Sequence, residues 1–172
     1  MKRGLPSAVI DTTLLTRLRA LEIVDLLPLV FSRVHIPSEV RAEVGAGPGR
    51  RRRWLARLLR EQSDFFVRCS DEDELTRGLL EVDLDPGEAA AIAQADHLGS
   101  EVILDETKAR RRAEVMSLAV VPTGALLVRL KDAGAIALVA PYLDRLQRDG
   151  FHLSAEARAR ILVSSGEWDR DD

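Results

Sequence analysis

Apolar and polar positions along this chain follow two rhythms. Short apolar runs stand at Ser7-Ala8-Val9-Ile10, Val34-His35-Ile36, Phe65-Phe66-Val67, Glu101-Val102-Ile103-Leu104 and Leu118-Ala119-Val120-Val121. Their length and content suit buried strands, with Phe65–Val67 equally readable as a core plug. Between them apolar residues recur three and four apart, the spacing of helices that turn one face inward. Leu14, Leu15, Leu18, Leu21 and Ile23 predict a helix that continues to about Leu27. Val40 and Val44 predict another, capped by Ser38, with Glu39 and Glu43 sharing a different face and Gly45, Gly47, Pro48 and Gly49 breaking it. Later helices are expected over 123–133, 138–148 and 155–164, with breaks at Gly134 and Gly150 and a cap at Ser154. Strands alternating with helices make the class α/β with a mainly parallel sheet.

One stretch, Asp85 to Ala113, organises the rest. Asp85 stands where an N-cap belongs, Pro86 suits the first helical position, and Glu88 three residues on completes a capping-box pattern. The run Ala89-Ala90-Ala91-Ile92-Ala93 makes a helix thin enough to lie close against a sheet, and Gly99 ends it. Asp105 then arrives at the carboxyl end of the following strand, as Asp11 does after the first. In parallel sheets that end is where ligands and chemistry sit. Asp11 also has a plainer role open to it, as N-cap of the helix that follows.

Composition narrows the classes. The 172 residues suffice for one domain with a full core, spanning 7–165, followed by a flexible acidic tail at 166–172. A net charge of −3 excludes a globally basic nucleic-acid binder. Of the 25 basic residues only Lys2, Lys108 and Lys131 are lysines. Arginines concentrate at Arg50, Arg51, Arg52, Arg53, Arg57 and Arg60 around Trp54, on an amphipathic helix. Such a face is either simply solvated or a contact for RNA or a partner, since clustered Arg with an aromatic suits phosphate and base stacking. Asp71-Glu72-Asp73-Glu74 is an acidic helix start that needs no functional account. The single cysteine, Cys69, excludes an internal disulfide and suggests the cytoplasm; no apolar run approaches a membrane span.

The familiar nucleophile and nucleotide motifs are missing. There is no G-x-S-x-G, no phosphate-binding G-x-x-x-x-G-K-S/T and no G-x-G-x-x-G, and His35, His97 and His152 share no metal-ligand spacing. What remains is carboxylates at the rim of the sheet: Asp11, Glu43, Glu88 and Asp105. Clustered carboxylates repel, and a hard divalent ion such as Mg²⁺ or Mn²⁺ resolves the repulsion while keeping waters and substrate phosphate in its shell. Such ions support phosphodiester hydrolysis.

In order along the chain stand Val9-Ile10-Asp11-Thr12-Thr13 with Leu15, Ile36-Pro37 with Val40 and Glu43, and Leu84-Asp85-Pro86-Gly87-Glu88 with Ala91-Ile92-Ala93. Leu104-Asp105-Glu106 with Arg110 and Ala113 follows, then a weaker series from Thr123 to Ser154. This series resembles the PIN-domain superfamily, in particular a prokaryotic PIN-like group, over about Val9 to Glu167. The resemblance implies a three-layer α/β/α fold whose acidic rim binds Mg²⁺ or Mn²⁺ and cuts single-stranded RNA. Many such proteins resemble VapC-like toxins, held inactive by a small antitoxin. Asp11, Glu43, Glu88 and Asp105 match the metal-binding acids, Thr13 a small hydroxyl after the first Asp, and Arg110 a basic position near the site. The chain departs from the pattern at Ala125, where the group usually has Gly and where Gly124 stands beside it. Glu88 departs too, since the third acid is commonly Asp. The expected function is therefore a metal-dependent ribonuclease, the toxin half of a toxin–antitoxin pair and open to homodimerisation. The alternatives are an inactive module that binds RNA or protein, and another metal-dependent phosphoesterase.

Overall fold

The computed structural model describes residues 4–69 and 74–168. Strands β1 (Ser7–Ile10), β2 (Arg33–Pro37), β3 (Phe66–Cys69), β4 (Glu101–Ile103) and β5 (Val120–Val121) form one sheet in the order β3-β2-β1-β4-β5. Every pairing is parallel. The chain winds outward from β1 through β2 to β3, then returns to the other side of β1 with β4. The crevice between β1 and β4 is therefore the switch point of the sheet.

Two apolar clusters cover the two faces. Ala8 and Ile10 of β1 face the larger one, with helices α1 (Thr12–Ala20), α2 (Ser38–Ala46), α3 (Gly49–Glu61), α7 (Thr123–Asp132), α8 (Ala140–Arg148) and α9 (Ala155–Ser164). Val9, with Val102 and Leu104, faces the smaller one, beneath α4 (Glu74–Glu81), α5 (Pro86–Leu98) and α6 (Thr107–Val115). The period-two alternation of side chains thus feeds both cores, and the fold is a three-layer α/β/α sandwich. Ala89 to Ala93 are all buried at 1% exposure or less, because α5 lies hard against the sheet and only small residues fit there.

The helices depart from the periodicity in several places. The helix expected to reach Leu27 stops at Ala20, because Glu22 turns to φ 62° and the N–H of Ile23 bonds back to the carbonyl of Leu18. That left-handed reversal ends α1, and Val24–Leu29 continues as a 3₁₀ helix containing Pro28. Ser38 is the first residue of α2 rather than its cap, a place taken by Pro37, and its hydroxyl donates to Glu39 at 2.9 Å. The strand expected over 118–121 shortens to Val120–Val121. Helix α6 carries no strong apolar stripe, and only Ala109 and Ala113, one turn apart, are buried. The capping box at Asp85 and Glu88 forms, and Gly99 closes α5 at φ 59°.

The acidic tail expected from Gly166 is anchored at its start. Glu167 accepts N–H groups from Val139 at 2.6 Å and Ala140 at 2.9 Å and meets Lys131 at 2.9 Å, tying the chain to the start of α8. Residues 169–172 of that tail, and Asp71 to Asp73 of the acidic helix start, lie outside the described residues.

Candidate active site

Ile10 pairs with Ile103, so Asp11 and Asp105 emerge together at the carboxyl end of the sheet, on the two sides of the switch-point crevice. Asp11 is 2% exposed, and its Oδ1 accepts the N–H of Leu14 at 2.7 Å. The capping role and the rim position are thus one and the same: the backbone takes one carboxylate oxygen and the crevice holds the group. Burial is the largest influence on its acidity and pushes the carboxyl up to about 7. The Leu14 N–H and Arg17 pull the other way, while the negative charges of Asp105 and Glu88 add to the rise.

Asp105 is held from two directions. Thr123, at the start of α7, gives it a backbone N–H at 2.8 Å and a hydroxyl hydrogen bond at 2.6 Å. Arg17, from α1, pairs with its Oδ2. Neither partner was singled out by sequence. Thr123 could have been, since it follows Pro122 at the end of β5, where the same strand-end logic applies. Arg17 gave no such signal, because only the fold places α1 beside the end of β4.

Glu43 reaches the start of α5, where its Oε1 accepts the N–H of Gly87 at 2.9 Å and its Oε2 takes the hydroxyl of Thr12. Gly87 has no Cβ for a physical reason. A Cβ there would lie 2.7 Å from Glu43 Oε2 and 2.9 Å from the Thr12 hydroxyl. Glu88 accepts the N–H of Asp85 at 3.3 Å, completing the cap. Burial is the first cause that raises its pKa, opposed by that N–H and reinforced by Glu106, Asp85 and Glu43. Glu106, which caps α6 by accepting the N–H of Ala109 at 2.8 Å, is therefore a further acid in the same field.

Of the two threonines that follow Asp11, Thr12 is the one whose hydroxyl meets an acid, Glu43. Thr13 is exposed and borders a hollow of about 250 Å³ with Thr16, Arg17, Arg51 and Phe151. Arg110, on α6, lines a separate cleft with Asp105, and its Nε is buried without a hydrogen-bond partner. The Arg-rich helix forms as α3, with Leu55, Leu58 and Leu59 buried and Arg50, Arg51, Arg52, Arg53 and Arg57 exposed. Trp54 is half-buried against the larger core, with the Arg19 guanidinium 4.9 Å over its ring. That packing takes up part of the indole surface. Gly124 sits where α7 meets α9, and a Cβ there would lie 2.5 Å from Ile161 Cδ1, so a side chain at 124 would have to displace Ile161.

Among the described residues no three His, Cys, Asp or Glu side chains stand close enough to cage an ion. The donor set still fits Mg²⁺ or Mn²⁺, because such ions are held by one or two carboxylates with waters and substrate phosphate completing the shell. Asp11 supplies a buried oxygen donor whose ionisation is opposed mainly by desolvation. Asp105 already attracts a cation, and here that cation is Arg17.

The profile of the PIN domain family matches residues 7–167. The chain belongs to the PIN-domain family. PIN domains are generally nucleases and typically use divalent metals, and the three-layer architecture is theirs. Comparison with curated proteins gives no match.

Proposed function

We propose that this PIN domain is a Mg²⁺- or Mn²⁺-dependent ribonuclease that hydrolyses single-stranded RNA at Asp11, Glu43, Glu88 and Asp105. The observation that carries the proposal is Asp11: a carboxyl buried at the switch point, pushed up to about 7, with Asp105 and Glu88 adding to the rise. A stability-only design has little reason to gather acids there, since each raises the cost of ionising the others. Asp11 and Asp105 would hold the ion, which supplies a nucleophilic water and neutralises charge on the phosphate. Thr123 fixes the Asp105 carboxylate from two atoms, and Leu14 fixes that of Asp11. Gly87 and Thr12 aim Glu43 at the start of α5, near Glu88. The residues thus pre-orient the acids before substrate arrives.

The toxin half of a toxin–antitoxin pair is the biological form we propose, with a small antitoxin as partner and a homodimer as the assembly. Its support is the family alone, and co-purification with the product of the neighbouring reading frame tests it. Among the described residues no helix is long and apolar enough to cross a membrane. One observation favours the inactive module instead, namely that Arg17 and the α5 cap already occupy Asp105 and Glu88. Incubating the purified chain with labelled single-stranded RNA in Mn²⁺ decides between them. Cleavage lost in Asp11→Asn supports the nuclease, and an inert parent that still binds RNA supports the module.

A further inference from the structure

A cleft of about 670 Å³ opens from Asp105 between α6, α7, α8 and α9. Its walls are apolar, from Val128, Leu143, Leu153 and Ile161, and its rim carries Arg110 and Arg160. The volume falls in the range of sites that enclose small organic groups. Two features say what such a group must be. Asp105 belongs to both the cleft and the acid site, so an occupant lies next to the reacting phosphate. Arg110 lines the same cleft as Asp105, so a fixed cation stands within it to meet an anionic neighbour of the occupant.

We propose that this cleft receives one unstacked base of the RNA strand, with Arg110 and Arg160 on the adjoining phosphates. The proposal rests on the ribonuclease reading and deepens it by locating the nucleotide beside the scissile bond. A base is flat and apolar on its faces and polar at its edge. The aliphatic walls suit its faces, and Thr107, His152 and Ser154 offer polar groups for the edge. Phe151 borders this cleft and also the smaller hollow beside Arg51, with the Arg17 guanidinium 4.3 Å over its ring. A strand leaving the cleft past Phe151 therefore meets Arg17 and then the arginines of α3.

The test reads binding on the Asp11→Asn chain, which retains an α1 cap, using short single-stranded RNA and the same RNA with one base removed. Scanning the abasic position should reveal one site where affinity falls about tenfold, the scale of one buried or stacked base. Ala157→Phe, which fills the cleft from α9, should weaken intact RNA about as much and abolish that abasic discrimination. Arg160 is exposed, so Arg160→Ala leaves folding intact; it should flatten the slope of log affinity against log salt by about 0.7. Penalties that simply add, an unchanged salt slope, or no binding at all overturn the pocket. Loss of a protein contact in Ala157→Phe with RNA affinity unchanged overturns it too and makes the cleft a protein surface. If the parent cleaves RNA while these variants bind normally, the pocket alone is wrong. If the parent neither cleaves nor binds, both readings fall.

Discussion

Arg17 pairs with Asp105 while its guanidinium lies 4.3 Å over the ring of Phe151. The side chains are 20% and 11% exposed, so the pair is neither a solvated surface contact nor a fully buried one. Removing its cation leaves Asp105 facing Asp11 without its direct ion-pair partner. Arg17→Met keeps an apolar stem at that position and should cost about 1–3 kcal/mol without metal, between the values for exposed and buried pairs. Millimolar Mn²⁺ should then raise Tm more in Arg17→Met than in the parent, because the ion no longer competes with a guanidinium. Equal metal responses in melting experiments would show that Arg17 does not occupy the ion's place.

Asp11 gives the chain a pH dependence of definite sign. Its folded pKa is about 7, above the ordinary 3.8, so between those values the native state binds the extra proton. The stability that this proton confers is fully present below about 4 and is lost as pH rises through 7. Asp11→Asn keeps the helix cap and removes the charge. It should raise Tm at pH 8 by about 3 °C or more, the scale of 1 kcal/mol for this size, and flatten Tm against pH between 4 and 7. A parent Tm profile with the same slope as the variant's would place the titration elsewhere.

Glu88 serves a cap and a proposed site with one carboxylate, and Glu88→Gln separates them. The amide still accepts the Asp85 N–H, so stability should stay within about half a kcal/mol. RNA cleavage should fall at least about 100-fold, because the charge is gone. Asp85→Ala should do the reverse, costing about 1 kcal/mol while sparing most activity. If Glu88→Gln cleaves like the parent in single-turnover assays, Glu88 is a cap only.

Gly87→Ala tests the aim of Glu43. The new Cβ would meet Glu43 Oε2 at 2.7 Å, and Glu43 must swing away from the N–H that holds it. A long side chain moves easily and Ala favours helix, so melting should change by less than about 1 kcal/mol. Activity should drop nearly as far as in Glu43→Gln. Full activity in a folded Gly87→Ala would mean that this position of Glu43 is not the working one.

The basic face of α3 is tested by salt. Arg57 and Arg60 already have Glu61 within 3.8 and 3.4 Å, so Arg51 and Arg52 are the better probes. If they hold RNA phosphates, their joint replacement by Ala should flatten the log-affinity against log-salt slope by about 0.7 for each lost contact. An unchanged slope makes the face a solvated one.

The sequence by itself determined the strand and helix alternation, because short apolar runs and apolar residues spaced three and four apart are local patterns. It also showed the α5 cap and the placement of Asp11 and Asp105 at strand ends, since those depend on neighbours within a few residues. It misjudged the end of α1, where Glu22 takes a left-handed turn that no glycine announces. What only the tertiary structure decided is which side chains meet across elements. Arg17 finds Asp105 across 88 positions of chain, Gly87 finds Glu43 across 44, and Thr123 finds Asp105 across 18. Trp54 pairs with Arg19 instead of standing free, because helix packing buries one face of it. Such contacts are set by how the crossovers stack helices on a twisted sheet, and they leave no local pattern to read. The raised pKa of Asp11 belongs with them, for burial is its first cause, and burial is a property of the packed whole.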